Sequence, residues 1–505
     1  MKSRQHTNRG TGIQYSLAIA GIPLLLAFQG PIYQQREWQS EPDSVVIEVI
    51  SGTFLGNMAR NFYGADAPSR LDVLWKCYLG KGMTTISRKI GKVEWAGAGW
   101  TGQPLLLSQN GELYLIQGAY DHHLRKIRAA DGEVMWTCAF DDVIKGTGTI
   151  YMNDTATERE HRCIILQGSR LGTDNYLDTE YVPSYRAVSF LTGQELWRLD
   201  SKWTDSYSRD VDASALIIAD TAYIGLENSL FTVFSPDPAL ARMKDSMLQP
   251  LIYREMELYT PEDVVKHRNN VVTEASPALL GNRIYISSGS GHVWGYNLDM
   301  DTLDWDFYVG SDMDGTPVVT DDSCIIVTVE KQYINGPGGV FKLNPLKEPP
   351  EAVVWYFPTG DTALAGWKGG VIGSAAVNDY YRKEGEQNMA VFSAIDGFLY
   401  IVDHKRLKTG TMVMGPDSLT SYPTPELIFR YQIGPSISTP LFTDRHLVAA
   451  GYGGLHLFEY DSTGFRRLDR FVSSFESTPV IWNKCIYLAS RDGFLYCFGE
   501  KKENP

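Results

Sequence analysis

The sequence predicts an all-β protein, an eight-bladed β-propeller of four-stranded antiparallel blades whose ring is closed by an N-terminal strand joining the C-terminal blade. Two observations lead to this prediction. Short segments rich in β-branched and aromatic residues recur along the 505 residues at intervals of about 39 to 66 residues, which is typical of propeller blades. The chain also carries one strand too many at its start and one too few at its end.

The first strand of each blade follows a small residue, Ser or Thr, and often Pro, as in Ser-Thr-Pro-apolar at 438–441 and 477–480. We place the eight first strands near Pro104, Thr149, Ala213, Pro277, Pro317, Ser374, Pro440 and Pro479. An apolar second strand follows a short polar turn. The third strand is marked by Asp-Gly-Phe-Leu-Tyr, present at 396–400 and at 492–496, in which Asp-Gly supplies the positive φ angles of a tight hairpin.

The fourth strand carries an aromatic residue, which is Trp in the clearest copies. The last unit has three strands and then the sequence stops, whereas the fourth-strand segment at 74–80 has no three strands before it. We therefore predict that this segment completes the final blade and removes its open edge. The propeller then spans 71–500, with a tail at 501–505. The same pairing brings Cys77 near Cys497, with a disulfide or two free thiols as alternatives.

Residues 1–30 differ from the rest of the chain. Lys2, Arg4 and Arg9 precede an apolar stretch at 17–28, a pattern that predicts a signal peptide or signal anchor and therefore export. A buried N-terminal helix is the alternative. Residues 31–70 form an N-terminal extension, and no other apolar stretch is long enough to cross a membrane. The six cysteines are scattered and contain no CxxC motif, which excludes a finger-like metal site or haem attachment.

The charge balance excludes nucleic acid as a partner. The chain has 46 basic and 60 acidic residues and a net charge of −14. Phosphate contacts need clustered Lys and Arg, and no such cluster occurs.

The ordered recurrence of these motifs resembles the PQQ-like, or quinoprotein-type, propeller repeat family. Asp492-Gly-Phe-Leu-Tyr496 and Thr192-Gly-Gln-Glu-Leu-Trp197 match its blade motifs. The resemblance implies that the fourth-strand Trp residues dock between neighbouring blades and are structural: Trp75, Trp136, Trp197, Trp305 and Trp355. It also implies one of two functions: a cofactor-free binding scaffold of the BamB type, or a dehydrogenase that uses pyrroloquinoline quinone and Ca²⁺.

In a propeller, the residues that begin the first strands converge on the central channel, and we call this end of the channel the mouth. Reading those positions gives a mixed ring of carboxylates, bases and aromatics as ligand-binding candidates: Trp100, Gln103, Lys145, Arg209, Asp210, Asp212, Glu274, Asp312, Asp314, Trp367, Lys368 and Glu476. Asp312 and Asp314 are the candidate Ca²⁺ ligands. A solvated, charge-balanced mouth without a ligand is the alternative.

We predict a non-catalytic scaffold that binds another protein in the bacterial cell envelope, without a cofactor. The alternative is the quinone- and calcium-dependent alcohol or sugar dehydrogenase, and a polysaccharide-binding or lyase-type propeller is a third possibility. The dehydrogenase lacks support because no adjacent cysteine pair, haem domain or matching ligand set is present in the sequence. No catalytic residue is assigned.

Three insertions complete the predictions. Residues 236–270 should contain a short helix, since Leu240, Met243, Met247 and Leu248 have helical spacing. Residues 405–426 should form an exposed loop, because they are rich in Pro, Ser, Thr and Gly. The Gly-rich, basic stretch at 81–99 lies on the mouth side and would cover the channel.

Overall fold

The computed structural model describes residues 34–37, 45–362, 364 and 366–502. The predicted signal segment at 1–30 lies outside the described residues. The N-terminal extension contributes strands β1 (Gln34–Glu37) and β2 (Val46–Ser51). Strand β2 pairs antiparallel with the first strand of the first blade. Strand β3 (Asp72–Tyr78) and the hairpin β4 (Lys81–Ser87) and β5 (Gly91–Ala96) follow.

Eight four-stranded antiparallel blades make up the rest of the described chain, as predicted. The strands of blades 1 and 2 are β6 (Leu105–Gln109), β7 (Glu112–Gly118), β8 (His123–Arg128), β9 (Val134–Ala139), and β10 (Thr149–Met152), β11 (Cys163–Gly168), β12 (Tyr185–Ser189), β13 (Glu195–Leu199). Blades 3 and 4 comprise β14 (Leu216–Ile218), β15 (Thr221–Gly225), β16 (Leu230–Phe234), the inserted hairpin β17 (Arg242–Lys244) and β18 (Met247–Gln249), β19 (Ile252–Glu257), helix α1 (Pro261–His267), and β20 (Ala278–Leu280), β21 (Arg283–Ser287), β22 (His292–Asn297), β23 (Thr302–Tyr308).

Blades 5 to 8 follow the same plan. Their strands are β24 (Val318–Val319), β25 (Ile325–Val329), β26 (Gly339–Leu343), β27 (Val353–Pro358); β28 (Ala376–Val377), β29 (Met389–Ser393), β30 (Phe398–Met414), β31 (Ser421–Gln432); β32 (Leu441–Phe442), β33 (His446–Gly451), β34 (Gly454–Asp461), β35 (Gly464–Phe471); and β36 (Val480–Trp482), β37 (Cys485–Ala489), β38 (Phe494–Gly499). Two 3₁₀ turns, Arg159–His161 and Pro238–Leu240, lie in blades 2 and 3.

Strand β3 supplies the fourth strand of blade 8 by pairing antiparallel with β38. In this register Trp75 lies opposite Cys497, and Cys77 lies opposite Leu495. All six cysteines are free, so the structure contains no Cys77–Cys497 disulfide. Strand pairing and noncovalent contacts, such as the bonds of the Ser69 amide and hydroxyl to Glu500, therefore hold the first and last parts of the chain together.

Each fourth-strand Trp reaches the neighbouring blade and bonds to its backbone. The indole Nε1 of Trp75 donates to the Ala129 carbonyl at 3.0 Å, and that of Trp355 donates to the His404 carbonyl at 2.9 Å. The other three donate in the same way: Trp136 to Phe190, Trp197 to Pro236 and Trp305 to Lys347. A buried indole N–H needs such an acceptor, so one residue type both packs the blade interface and satisfies its own donor.

The turn glycines explain how the indoles fit. Gly132 and Gly193 have φ of +79° and +74°, a conformation that costs glycine little. A Cβ at either position would lie 2.7 Å from the ring of Trp75 or Trp136. The glycines of the Asp-Gly and Thr-Gly motifs therefore have two roles. They allow the tight turn of their own blade, and they leave space for the Trp side chain of the preceding blade.

Residues 53–66, which we call the plug, cross the channel at the end away from the mouth. Backbone bonds join the plug to several blades: the amides of Leu279 and Val319 donate to the carbonyls of Met58 and Ala59 at 2.8 and 3.0 Å. The Ala65 amide donates to the Ile481 carbonyl at 3.1 Å. The N-terminal extension thus occupies the end of the channel opposite the mouth. No repeat motif in the sequence indicates this position.

Two of the predicted insertions are wrong in detail. Residues 242–249 form the β17–β18 hairpin instead of a helix, because Asp245 and Ser246 both have positive φ (51° and 66°), as in a type I′ turn. The short helix is α1, which begins at Pro261 and has a capping box between Thr260 and Asp263.

Residues 405–426 are not a loop. They extend the hairpin β30–β31, whose register shifts at several points. The extension packs along blade 5, where Tyr422 meets Phe341 edge to face at 5.3 Å between ring centroids. Because Val413 and Tyr422 pack against the apolar core of blade 5, a segment with loop-like composition forms strands.

Candidate functional site

The structure brings several of the predicted mouth residues together around Lys145. Its ammonium Nζ lies 2.6 Å from Asp212 Oδ2, 3.5 Å from Asp210 Oδ2 and 3.6 Å from Glu227 Oε1. Lys145 and these carboxylates are buried. The carboxylates raise the pKa of Lys145 well above its ordinary value, although burial opposes this, so the side chain is cationic at neutral pH.

Asp210 is the best compensated carboxylate of the group. Its Oδ2 accepts from Arg170 Nε at 2.7 Å, and its Oδ1 accepts from the Leu171 amide at 3.0 Å. Burial opposes ionisation here, but Arg170 and Lys145 outweigh it and lower the pKa of Asp210 below its ordinary value.

The remaining carboxylates are under-compensated. Burial, with repulsion from neighbouring carboxylates, raises the pKa of Asp212 to about 7 and that of Glu330 to about 9. The same causes raise the pKa values of four more residues well above their ordinary range: Glu227, Glu274, Asp312 and Asp314. We call the nine residues the mouth cluster: Lys145, Arg170, Asp210, Asp212, Glu227, Glu274, Asp312, Asp314 and Glu330. It holds seven acids against two bases.

Trp100 and Trp367 lie against each other beside the mouth cluster, stacked at 5.8 Å between ring centroids. The Trp100 indole donates to a carboxylate oxygen of Glu274. Trp100 and Thr101 have φ of 51° and 61°, a conformation that costs a residue with a Cβ of order 1 kcal/mol. The strained turn therefore directs an aromatic ring onto the acidic cluster.

A cavity of about 20 Å³ lies beside the mouth cluster. Its walls carry the carboxylates of Asp212, Glu274 and Asp314, with Phe54 of the plug also lining it. This volume accommodates about one water molecule or one metal ion.

Other predicted residues have structural contacts away from this cavity. Gln103 lies between the plug and blade 8, accepting from the Leu55 amide at 2.9 Å and donating to the Pro479 carbonyl at 2.7 Å. Glu476 pairs with Arg491 at 2.8 Å. Arg209 donates to backbone carbonyls of neighbouring loops, and Lys368 is exposed.

Three members of the mouth cluster were not predicted: Arg170, Glu227 and Glu330. They lie just after the second strands β11, β15 and β25. The connections between second and third strands reach the same end of a blade as the starts of the first strands. That topology was the available signal, since none of these three positions carries a recurring motif.

The outer surface of the mouth carries exposed aromatic side chains. Trp203, on the connection from blade 2 to blade 3, is 57% exposed. Tyr207 follows on the same connection, and Tyr176 lies on the loop between β11 and β12; both are exposed. The β4–β5 hairpin contacts that loop, where the Arg88 guanidinium lies 5.2 Å from the centre of the Tyr176 ring. We call residues 169–184 and 200–210 the rim.

The raised pKa of Glu330 predicts a pH-dependent stability. A carboxyl whose folded-state pKa is about 9, against 4.5 ordinarily, favours folding at low pH and loses that contribution as the pH rises from about 4.5 to about 9. Glu330→Gln, which resembles the protonated form, should therefore raise the free energy of unfolding at pH 8 by at least about 1 kcal/mol.

The measurement is urea unfolding of wild type and variant at pH 4.5 and pH 8. The two proteins should differ less at pH 4.5, and the exposed substitution Glu348→Gln serves as the control. A Glu330→Gln variant that is equally or less stable than wild type at pH 8 would contradict the assignment.

No protein-family profile matches the chain, and no curated protein matches it. Among solved structures, the chain is similar to BamB from Moraxella catarrhalis, with 13% identity, 77% of this chain and 94% of that chain covered, and a TM-score of 0.49. It is also similar to the computationally designed Ika8 protein, with 11% identity, coverage of 80% and 98%, and the same TM-score of 0.49. Likenesses this distant carry no argument about function.

Within the described part of the chain, no helix combines the length and apolar character needed to cross a membrane.

Proposed function

We propose that the chain is a non-catalytic scaffold that binds another protein through its rim. The observation that carries the proposal is a group of exposed aromatic side chains beside the mouth. Trp203, Tyr207 and Tyr176 are exposed on the rim. Trp, Tyr and Arg are the residues most enriched among those that dominate protein interfaces.

The two rim segments are held in place before any partner binds. Arg209 is buried and donates to the Leu177 carbonyl at 3.1 Å and to the Ser201 carbonyl at 3.4 Å. Its guanidinium also lies 5.0 Å from the Trp203 ring. A surface that is already ordered loses less conformational entropy on binding, which favours recognition by this face.

The finer parts of the proposal rest on the sequence. Export rests on the basic and apolar pattern of residues 1–30, and the location in the cell envelope rests on the resemblance of the blade motifs to those of BamB-type scaffolds. Membership of the PQQ-like repeat family follows from the recurring blade motifs. The partner is then another envelope protein.

Cross-linking in cells of the source organism tests the proposal. A photo-cross-linking amino acid at Tyr176 should give one defined protein adduct, and Trp203→Ala should reduce its yield at least tenfold, as expected for an interface hot spot. The control is Leu346→Ala, a substitution of an 80% exposed side chain in the turn between β26 and β27. An adduct unaffected by Trp203→Ala, or reduced equally by Leu346→Ala, would refute binding through the rim.

A further inference from the structure

Two cysteines are neighbours on blade 8, near the end of the blade away from the mouth. Cys485 is the first residue of β37, and Cys497 lies on the adjacent strand β38. The register places Tyr487 opposite Cys497. Because side chains alternate between the two faces of a strand, Cys485, Tyr487 and Cys497 share one face, with Cys485 diagonal to Cys497.

A groove between blades 8 and 1 runs along this face. It has a volume of about 520 Å³, within the range of sites that bind small organic molecules. Cys485, Tyr487 and Cys497 all line it, and its other walls are mostly apolar and include Leu74, Trp75, Leu113 and Ala129. Cys485 is partly exposed, whereas Cys497 is buried. A molecule that enters the groove therefore meets the Cys485 thiol first.

Cys485 has the character of a reactive thiol. The Cys497 thiol and the Tyr487 hydroxyl both donate hydrogen bonds to it, and these bonds lower the pKa of Cys485 from 9 to about 7, although burial opposes them. Hydrogen bonds to the charged form of a group favour that form. A large fraction of Cys485 is therefore thiolate at neutral pH, and the thiolate is the form that attacks sulfur.

The other five cysteines differ from Cys485. The hydrogen bond to Cys485, together with burial, raises the pKa of Cys497. Burial raises the pKa values of the remaining four, which are Cys77, Cys138, Cys163 and Cys324. Blade 8 thus holds an ionisable, accessible thiol next to a protonated, buried one. An accessible thiol of low pKa beside a second cysteine is typical of redox-active pairs.

We propose that Cys485 and Cys497 form a thiol-modification site that reacts with a small disulfide held in the groove. The Cys485 thiolate attacks one sulfur of the small disulfide, forms a mixed disulfide and releases the other half as a thiol. The Cys497 thiol then loses its proton, attacks the Cys485 sulfur and displaces the second half. Overall the two cysteines lose two hydrogen atoms, and the small disulfide takes them up to become two thiols.

The strand geometry favours a disulfide that is easily reduced. The Cα atoms of two bridged cysteines lie within about 7 Å of each other, whereas diagonal neighbours on antiparallel strands have Cα atoms about 7–8 Å apart. Closing the Cys485–Cys497 bond therefore requires a small shift at the start of β37. Because strained disulfides are reduced more readily, we expect the modification to be reversible.

Alkylation of the unsubstituted full chain with iodoacetamide tests the reactive thiol. Peptide mapping after brief treatment at pH 7 should show Cys485 labelled at least about tenfold faster than Cys324, a buried thiol whose pKa is about 11. The rate of Cys485 labelling should rise with a midpoint near pH 7, and Tyr487→Phe should move that midpoint to higher pH. Equal labelling of the two cysteines, or a midpoint near the ordinary value of 9, would overturn the proposal.

Oxidation by glutathione disulfide tests the pair. The unsubstituted chain should form one disulfide, between Cys485 and Cys497, that dithiothreitol reverses. Cys497→Ala should stop at a mixed disulfide of Cys485 with glutathione, Cys485→Ala should form neither product, and the control Cys324→Ala should behave like the unsubstituted chain. A disulfide at other cysteines, or a mixed disulfide that persists while Cys497 is present, would contradict the proposal. Neither experiment involves a partner protein, so both are independent of binding through the rim.

Discussion

Replacement of Arg60 by Met is expected to lower the free energy of unfolding by about 3–5 kcal/mol. Arg60 lies in the plug and is completely buried. Its guanidinium donates to the carbonyls of Pro277 at 2.8 Å, Phe54 at 2.7 Å and Ser214 at 3.1 Å, and to the Thr53 hydroxyl at 2.6 Å. Met would fill much of the same volume but leave those acceptors without a donor inside the channel, and each unsatisfied buried group costs about 1–3 kcal/mol.

Urea unfolding of the full chain measures this effect. Arg70→Met is the control, because the Arg70 side chain is exposed and forms a surface ion pair with Asp72 at 3.3 Å. Surface substitutions of this kind change stability by less than about 0.5 kcal/mol. If the free energy of unfolding of Arg60→Met lies within 1 kcal/mol of the wild-type value, the hydrogen bonds of Arg60 do not stabilise the propeller as proposed.

Trp355→Ala is the second substitution with a large expected effect, a loss of about 3–5 kcal/mol. The indole is completely buried between blades 5 and 6, and its Nε1 donates to the His404 carbonyl at 2.9 Å. Truncation would leave a cavity at the blade interface and a carbonyl without its donor. Trp355→Phe should recover part of the loss, because the phenyl ring restores much of the packing but not the hydrogen bond.

Denaturant unfolding compares both variants with Trp203→Ala, which removes an exposed indole of the same size. That control should change stability by less than about 0.5 kcal/mol. Equal effects of Trp355→Ala and Trp203→Ala would show that the fourth-strand Trp does not dock the blades. A loss for Trp355→Phe as large as that for Trp355→Ala would show that the hydrogen bond of the indole, and not its packing, dominates at this position.

The ring was predictable from sequence because blades repeat. Phrases such as Asp492-Gly-Phe-Leu-Tyr496 mark a strand and the turn before it, and turn chemistry is local. The start of each first strand is fixed by the same repeat, which is why Lys145, Asp212 and Glu274 could be assigned to the mouth in advance.

The plug, the β30–β31 extension and part of the mouth cluster could not be predicted, because they depend on contacts between segments distant in sequence. Arg60 belongs to no repeat, and an isolated arginine is typical of a solvent-exposed position. The β30–β31 extension has the composition of a loop and becomes a hairpin because blade 5 covers Tyr422. Glu227 and Arg170 lie on connections whose sequences differ from blade to blade, so only the folded topology brings them to Lys145.

The pairing of β3 with β38 has a consequence for synthesis of the chain. Trp75 lies opposite Cys497, so β3 emerges from the ribosome roughly 420 residues before its partner. At 5–20 residues per second, this corresponds to a wait of about 20 to 85 s. Throughout that interval residues 72–78 have no partner strand, and an unpaired strand can join strands of other chains. We therefore expect incompletely synthesised chains to associate through this segment.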